Sequence, residues 1–149
     1  MEKVVRFQVL CPPLKGGLLR GRQHSTVMNI RAQTRSRVSI NPVIGWEIVT
    51  FSAVETLENG SPSVDALLAM LPYFRDFKCG LYEVSLLVEE EQRSCLAEDF
   101  LVQWMQQTLT SIVVSEYNTY IRVQIFGGNH GVSNALSLIV TSLRQNVFN

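Results

Sequence analysis

The hydrophobic pattern of this chain changes period along its length, and the order of those changes limits the fold. Lys3 to Leu10 alternates, with Val5, Phe7 and Val9 on one side and Val4, Arg6, Gln8 and Leu10 on the other. A period of two residues reads as a strand. Cys11-Pro12-Pro13 closes it, because proline has no N–H for a ladder. Residues 14–23 (LKGGLLRGRQ) are basic and broken by glycine, and read as a mobile hairpin or loop. Ser25–Gln33 and Arg37–Ile40 read as short strands, and Asn41-Pro42 as a turn. Trp46–Val54 alternates again, with Trp46, Ile48, Thr50 and Ser52 facing away from Val49, Phe51 and Ala53.

From residue 58 onward the period shifts. Glu58-Asn59-Gly60 marks a turn, Ser61 a helix cap, Pro62 the first helical position and Asp65 a partner for the helix dipole. Val64, Leu67, Leu68 and Leu71 share a helical face, and Pro72 is expected to stop the run. Cys79–Val88 reads as a strand whose more apolar face holds Tyr82, Val84, Leu86 and Val88. Glu89-Glu90-Glu91 reads as a solvated turn. Ser94 is expected to cap a helix reaching about Val114, with Ala97, Leu101, Trp104, Met105, Thr108 and Ile112 as its buried stripe. Tyr117–Phe126 reads as a strand and Gly127–Gly131 as a glycine-rich turn. Ser133 is expected to cap a last helix that buries Leu136, Ile139, Val140 and Leu143. Early strands followed by β-α-β-α predict a single α+β domain over residues 1–149, with helices on one face of a mixed sheet.

Composition supports one self-sufficient core. The chain has 149 residues, of which 46% are apolar and 17% charged. A chain of this length buries roughly two thirds of its unfolded surface, so it needs neither metal nor disulfide to fold. No apolar stretch is long enough to span a bilayer. The start has no signal-peptide apolar block. A soluble protein of the cytoplasm or nucleus is expected. Cys11, Cys79 and Cys95 form no C-x-x-C pair, and an odd count without a secretion signal argues for free thiols.

Formal net charge is zero, but it is split. Residues 1–40 carry eight basic side chains against Glu2 alone, a surplus of seven, and residues 41–149 carry five basic against twelve acidic, a deficit of seven. A basic third of that kind suits nucleic acid or an acidic partner. Arg20, Arg22, Arg31, Arg35 and Arg37 are the candidate phosphate contacts, since guanidinium forks match phosphate oxygens. Residues 8–45 hold no Phe, Tyr or Trp, so base stacking is not expected there, and binding would be to backbone charge and sensitive to salt. Gly127, Gly128 and His130 form the other anion candidate, a glycine turn at a helix start. Its spacing is neither a dinucleotide fingerprint nor a phosphate loop. The histidines and cysteines match no zinc spacing. No cofactor motif, nucleophile motif or carboxylate pair occurs, so no metal, cofactor, small-molecule substrate or enzyme activity is expected.

From Cys79 to Val147 the order is strand (LYEVSLLV), acid and arginine turn (EEEQR), amphipathic helix, lead-in (SEYNTY), strand (IRVQIF), glycine turn, and a helix opening Asn134-Ala135-Leu136. This resembles the first half of the RNase PH-like domain of bacterial RNase PH and the ring subunits of the RNA exosome. Val4–Pro12 also resembles the family's first strand, with Cys11-Pro12 where the family has Gly-Pro. Residues 41–78 have no counterpart, Gly128 and Asn129 stand where the family turn is acidic, and the family's catalytic half has no match here. The resemblance therefore implies a non-catalytic assembly subunit that binds protein partners and RNA backbone. The alternative is a self-associating structural or adaptor module of viral matrix type that binds an acidic partner, its copies mating head to tail through an open strand edge and opposite charge patches.

Overall fold

Val5, Phe7, Val9 and Cys11 are all buried on one side of β1 (Lys3–Cys11), as the alternation predicts. The computed structural model describes residues 1–12 and 24–149. The expected hairpin or loop at 14–23, with Arg20 and Arg22, lies outside the described residues. The elements that follow β1 are α1 (His24–Thr34), β2 (Arg37–Val43), β3 (Trp46–Glu55), α2 (Pro62–Phe74), β4 (Asp76–Lys78) and β5 (Leu81–Glu89). After a 3-10 segment (Glu90–Leu96) come α3 (Glu98–Thr108), β6 (Ser111–Tyr117), β7 (Tyr120–Gly127) and α4 (Asn129–Val147). The strands form one sheet in the order β2-β3-β1-β5-β7-β6, with β4 beside β5.

The α+β class holds, but the sheet is not mixed. Every pairing is antiparallel. A β-α-β crossover between β5 and β7 would make them parallel. The additional strand β6 reverses the chain once more, and β7 returns antiparallel to β5.

Five local expectations change for identifiable reasons. Ser25–Gln33 is helical, because Val27 and Ile30, three residues apart, are its buried positions. Pro42 sits inside β2 and the turn falls at Ile44-Gly45, where Gly45 has φ +78°. Proline is tolerated there because β2 is an edge strand. Pro72 does not stop α2, which runs to Phe74; proline in the last turn removes few ladder bonds, and Phe74 packs its ring 6.1 Å from that of Phe51. The helix expected from Ser94 to Val114 is three elements. Its 3-10 start gives way at Ala97 to α3, whose C-terminal cap is Leu109 in the left-handed region (φ 55°). Ser111–Tyr117 then extends as β6 and buries Ile112 on the sheet. The last helix starts at Asn129 with Gly128 as its cap, not at Ser133.

One core joins the layers. Val5, Phe7, Val9, Val49, Phe51, Leu86, Val123 and Ile125 from the sheet meet Leu67, Met70, Leu136, Ile139 and Val140 from the helices. Leu10 and Leu87 are also buried but stand outside that core, because their alternation places them on the opposite face. That face carries no described helix.

The layers are tied by Glu55 at the end of β3. Its side chain is fully buried and accepts from Arg144 Nε (2.8 Å), Ser61 Oγ (2.8 Å), Ser63 N (2.8 Å) and Ser63 Oγ (2.5 Å). Arg144 also donates to the Thr56 carbonyl at 2.5 Å. Burial by itself raises the Glu55 pKa; the Arg144 guanidinium, Ser63 and Ser61 outweigh it and hold the carboxyl below its ordinary value. We expect Glu55→Gln to cost about 3–5 kcal/mol in urea unfolding, the range for breaking a buried pair. The Glu55→Leu/Arg144→Met double variant should lose less than the two single changes together. Because the folded pKa is lowered, the carboxylate's contribution is present above the unfolded value of ~4.3 and is lost as pH falls through the folded value. Wild type should therefore weaken more steeply in acid than Glu55→Gln, and parallel pH profiles would contradict this.

Candidate nucleic-acid interface

Arg31, Arg35 and Arg37 converge because α1 ends in a left-handed turn. Arg35 has φ 58° and donates its backbone N–H to the Arg31 carbonyl at 2.9 Å. A left-handed residue at that position is a common helix stop. It swings the chain directly into β2, so the last turn of α1 and the first residue of β2 face one groove. That groove, about 430 Å³, is lined by Val4, Arg31, Arg35, Ser36, Arg37, Ser52, Ala53 and Val54. All three arginines are exposed. Arg31 touches the Met28 sulfur at 4.0 Å. None of the three makes an ion pair among the described residues, and no acidic side chain lines the groove.

Register extends the basic corner onto the sheet face that carries no described helix. Arg37 and Arg6 both pair with Ser52, one from each side. Arg6 in turn donates to Glu89 Oε1 at 3.1 Å. Farther in, Trp46 and Arg122 belong to β3 and β7, which are separated by β1 and β5. At ~4.8 Å per strand their backbones are roughly 14 Å apart. Yet the Arg122 guanidinium carbon lies 5.0 Å from the centre of the Trp46 ring, and Arg122 Nε donates to Ser85 Oγ at 3.1 Å. The two side chains therefore lie along the face and meet across its middle, where Leu10, Ser85 and Leu87 are buried. Sequence reasoning missed this pair, because neither residue has a local signal; only the register Leu10↔Ser85↔Gln124 and Gln8↔Leu87↔Arg122 brings them together.

The face has an acidic end as well. Glu89, Glu90 and Glu91 gather beside Thr119 and Tyr120. Arg93 bridges Glu90 (2.6 Å) and Glu116 (2.7 Å), and this lowers the Glu90 pKa. The expected solvated acidic turn is thus partly neutralised.

The glycine turn has a packing role. A Cβ on Gly131 would come within 2.6 Å of the Thr108 carbonyl oxygen, and one on Gly127 within 3.0 Å of Thr110 Cγ2. These glycines let the start of α4 press against the α3–β6 connection. Gly128 meets nothing within 4 Å and has an ordinary φ of −71°. His130 is exposed. The Asn129 side chain accepts from Arg75. The turn and the arginine groove are not brought together: none of Gly127, Gly128 and His130 lines it.

Cys11 and Cys95 are buried and Cys79 is exposed. Among the described residues no group of three or more His, Cys, Asp and Glu side chains is placed to hold a metal ion, and no helix is long and apolar enough to cross a membrane.

No family model matches the chain, and no curated protein matches it. Among solved structures, a chain of the a/eIF2alpha-aDim2p-rRNA complex from Pyrococcus horikoshii OT3 aligns with 97% of this chain and 85% of that one, at 19% identity and a TM-score of 0.34. A likeness of that size says nothing of what this chain binds.

Gly131→Ala should lower stability by about 1–3 kcal/mol, as overpacking does, whereas Gly128→Ala should leave it nearly unchanged. Thermal melts of the two variants check this. Equal melting points would remove the packing role.

Proposed function

We propose that this chain is a non-catalytic assembly subunit of an RNA-processing complex, whose arginine groove holds RNA backbone. The observation that carries the reading is the convergence of Arg31, Arg35 and Arg37 in a groove that has no acidic partner among the described residues. Guanidinium groups that are not already paired retain their forked N–H donors for phosphate. The resemblance of residues 79–147 to the RNase PH-like domain supports the same reading.

Binding of this kind rests on counterion release and weakens with salt. Single-stranded RNA should bind at low salt, with a logarithmic salt slope that falls by roughly 0.7 for each phosphate contact removed. Arg31→Glu, Arg35→Glu and Arg37→Glu together should abolish binding in an anisotropy titration. Arg35→Gly isolates charge from folding: glycine suits the left-handed φ better than arginine, so this variant should be at least as stable and still bind more weakly. Unchanged affinity in the triple variant would sink the reading.

A second reading, self-association, is favoured by β6. It is a sheet edge of seven residues with no proline and no basic side chain, and Val113 is 47% exposed. The opposite edge, β2, is blunted by Pro42. If β6 edges pair between copies, light scattering on a sizing column should give a dimer that Val113→Lys converts to a monomer. A wild-type monomer at every concentration would exclude it.

A further inference from the structure

We infer that the sheet face that carries no described helix is the path of a bound single strand of nucleic acid, with bases stacked at the Trp46–Arg122 pair and phosphates on Arg37 and the adjoining groove. This deepens the reading above and rests on it.

Three observations carry the inference. First, the face interleaves cations and aromatics that are scattered in sequence. Strand register places Arg6, Arg37 and Arg122 on the same side as Trp46, Tyr120 and Phe126. Flat rings beside guanidinium groups are what sequence-tolerant single-strand binding uses, because every base has a π-face. Second, Arg122 is pre-positioned. Its Nε is fixed by Ser85 and its plane is held near the indole, while its four terminal N–H donors have no partner among the described residues. A half-buried guanidinium plane can stack on a base or clamp a phosphate without further ordering. Third, charge sets the direction. The groove arginines lie at the β2 corner and Glu89, Glu90 and Glu91 at the Tyr120 corner. A polyanion is drawn to the first and repelled from the second. The path therefore runs from Arg37 past Thr50 and Gln8, which lie between it and the ring, to Trp46 and Arg122. Gln8 Nε2 and Thr50 Oγ1 stand 3.5 Å apart there, a long contact that leaves both groups available. Glu83, beside Phe126 in register, marks the far limit. An acidic peptide would satisfy the arginines but make no use of the stacked plane, so nucleic acid fits the face better.

The test uses the whole protein with a fluorescein-labelled oligo-uridine and its abasic counterpart of equal length. The oligo-uridine should bind tighter by roughly tenfold or more, the scale of one or two stacked bases. It should also quench tryptophan emission, which the abasic strand should leave unchanged. Trp104 is buried in the helical layer, so the quenched signal should vanish in Trp46→Ala and persist in Trp104→Phe. Trp46→Phe keeps a ring, and should keep part of the preference for bases if the fold is intact. Arg122→Lys keeps the charge but loses the plane, and should reduce that preference as Arg122→Ala does. Equal affinity for both strands with no change in emission would overturn the face as the path and leave the groove standing. Failure of both strands to bind at low salt would overturn both readings. Tighter binding of poly-glutamate than of oligo-uridine would assign the face to an acidic protein instead.

Discussion

A single buried carboxylate holds the two layers in register. Glu55 ends β3, Ser61 and Ser63 begin α2, and Arg144 lies on α4, so one side chain joins the first half of the fold to the last helix. The Glu55 side chain is inaccessible and that of Arg144 is 12% exposed. Removing two charges from water is expensive, and their attraction offsets that cost only with good geometry and further hydrogen bonds. Here four donor groups converge on the carboxylate, which is why it stays ionised despite burial. Such a pair ties the position of α4 to the end of β3, since Arg144 supplies the one charged donor to Glu55 among the described residues.

That arrangement commits the helices to one face. α2 and α4 both reach the sheet through aliphatic side chains, and α1 packs on α2. The inward side of the strands is accordingly mostly apolar, with Glu55 as its paired charge, and the outward side mixes Thr, Ser, Gln and Arg with aromatics. In an antiparallel sheet with one face covered, the other face normally reads as simple polar surface. The departure here is the Trp46–Arg122 contact over Leu10, Ser85 and Leu87. It covers apolar area with an amphipathic aromatic and a cationic plane, and so leaves recognition chemistry on the outside of the surface that it shields.

Much of this fold is legible in the sequence where the signal is local. The strands at Lys3–Leu10 and Trp46–Val54 follow from alternation, and the start of α2 from Ser61, Pro62 and Asp65, with Ser61 Oγ accepting from the Val64 N–H at 3.2 Å. The misreadings are where two periods agree over a short window. Ile112 follows Thr108 by four residues and so continues the helical stripe, although it belongs to a strand. What ends α3 is Leu109 adopting a left-handed backbone, and leucine has no side-chain signal for a stop. Around Gly131 the deciding fact is how closely Thr108 approaches, which no one-dimensional pattern carries. For the candidate interface the arginines were legible as charge, because charge needs no partner to be recognised. The aromatic half was not, since Trp46 and Arg122 meet only through the register of four strands.

Among the described residues, the groove arginines and the Glu89–Glu91 carboxylates form separate clusters. Arg6 and Glu89 do pair across the division, but both are about half exposed, and such surface pairs contribute little to stability. The groove arginines make no ion pair among the described residues. The opposite corner concentrates Glu89, Glu90 and Glu91, with Arg93 and Glu116 close by. Arg37 on β2 and Glu89 on β5 are three strand spacings apart, roughly 14 Å at ~4.8 Å each, which exceeds one Debye length at physiological salt, about 8 Å. Neither corner then cancels the other's field at its own surface. A polyanion approaching this face meets attraction at one end and repulsion at the other, so a protein with no net charge can still impose an orientation on what it binds.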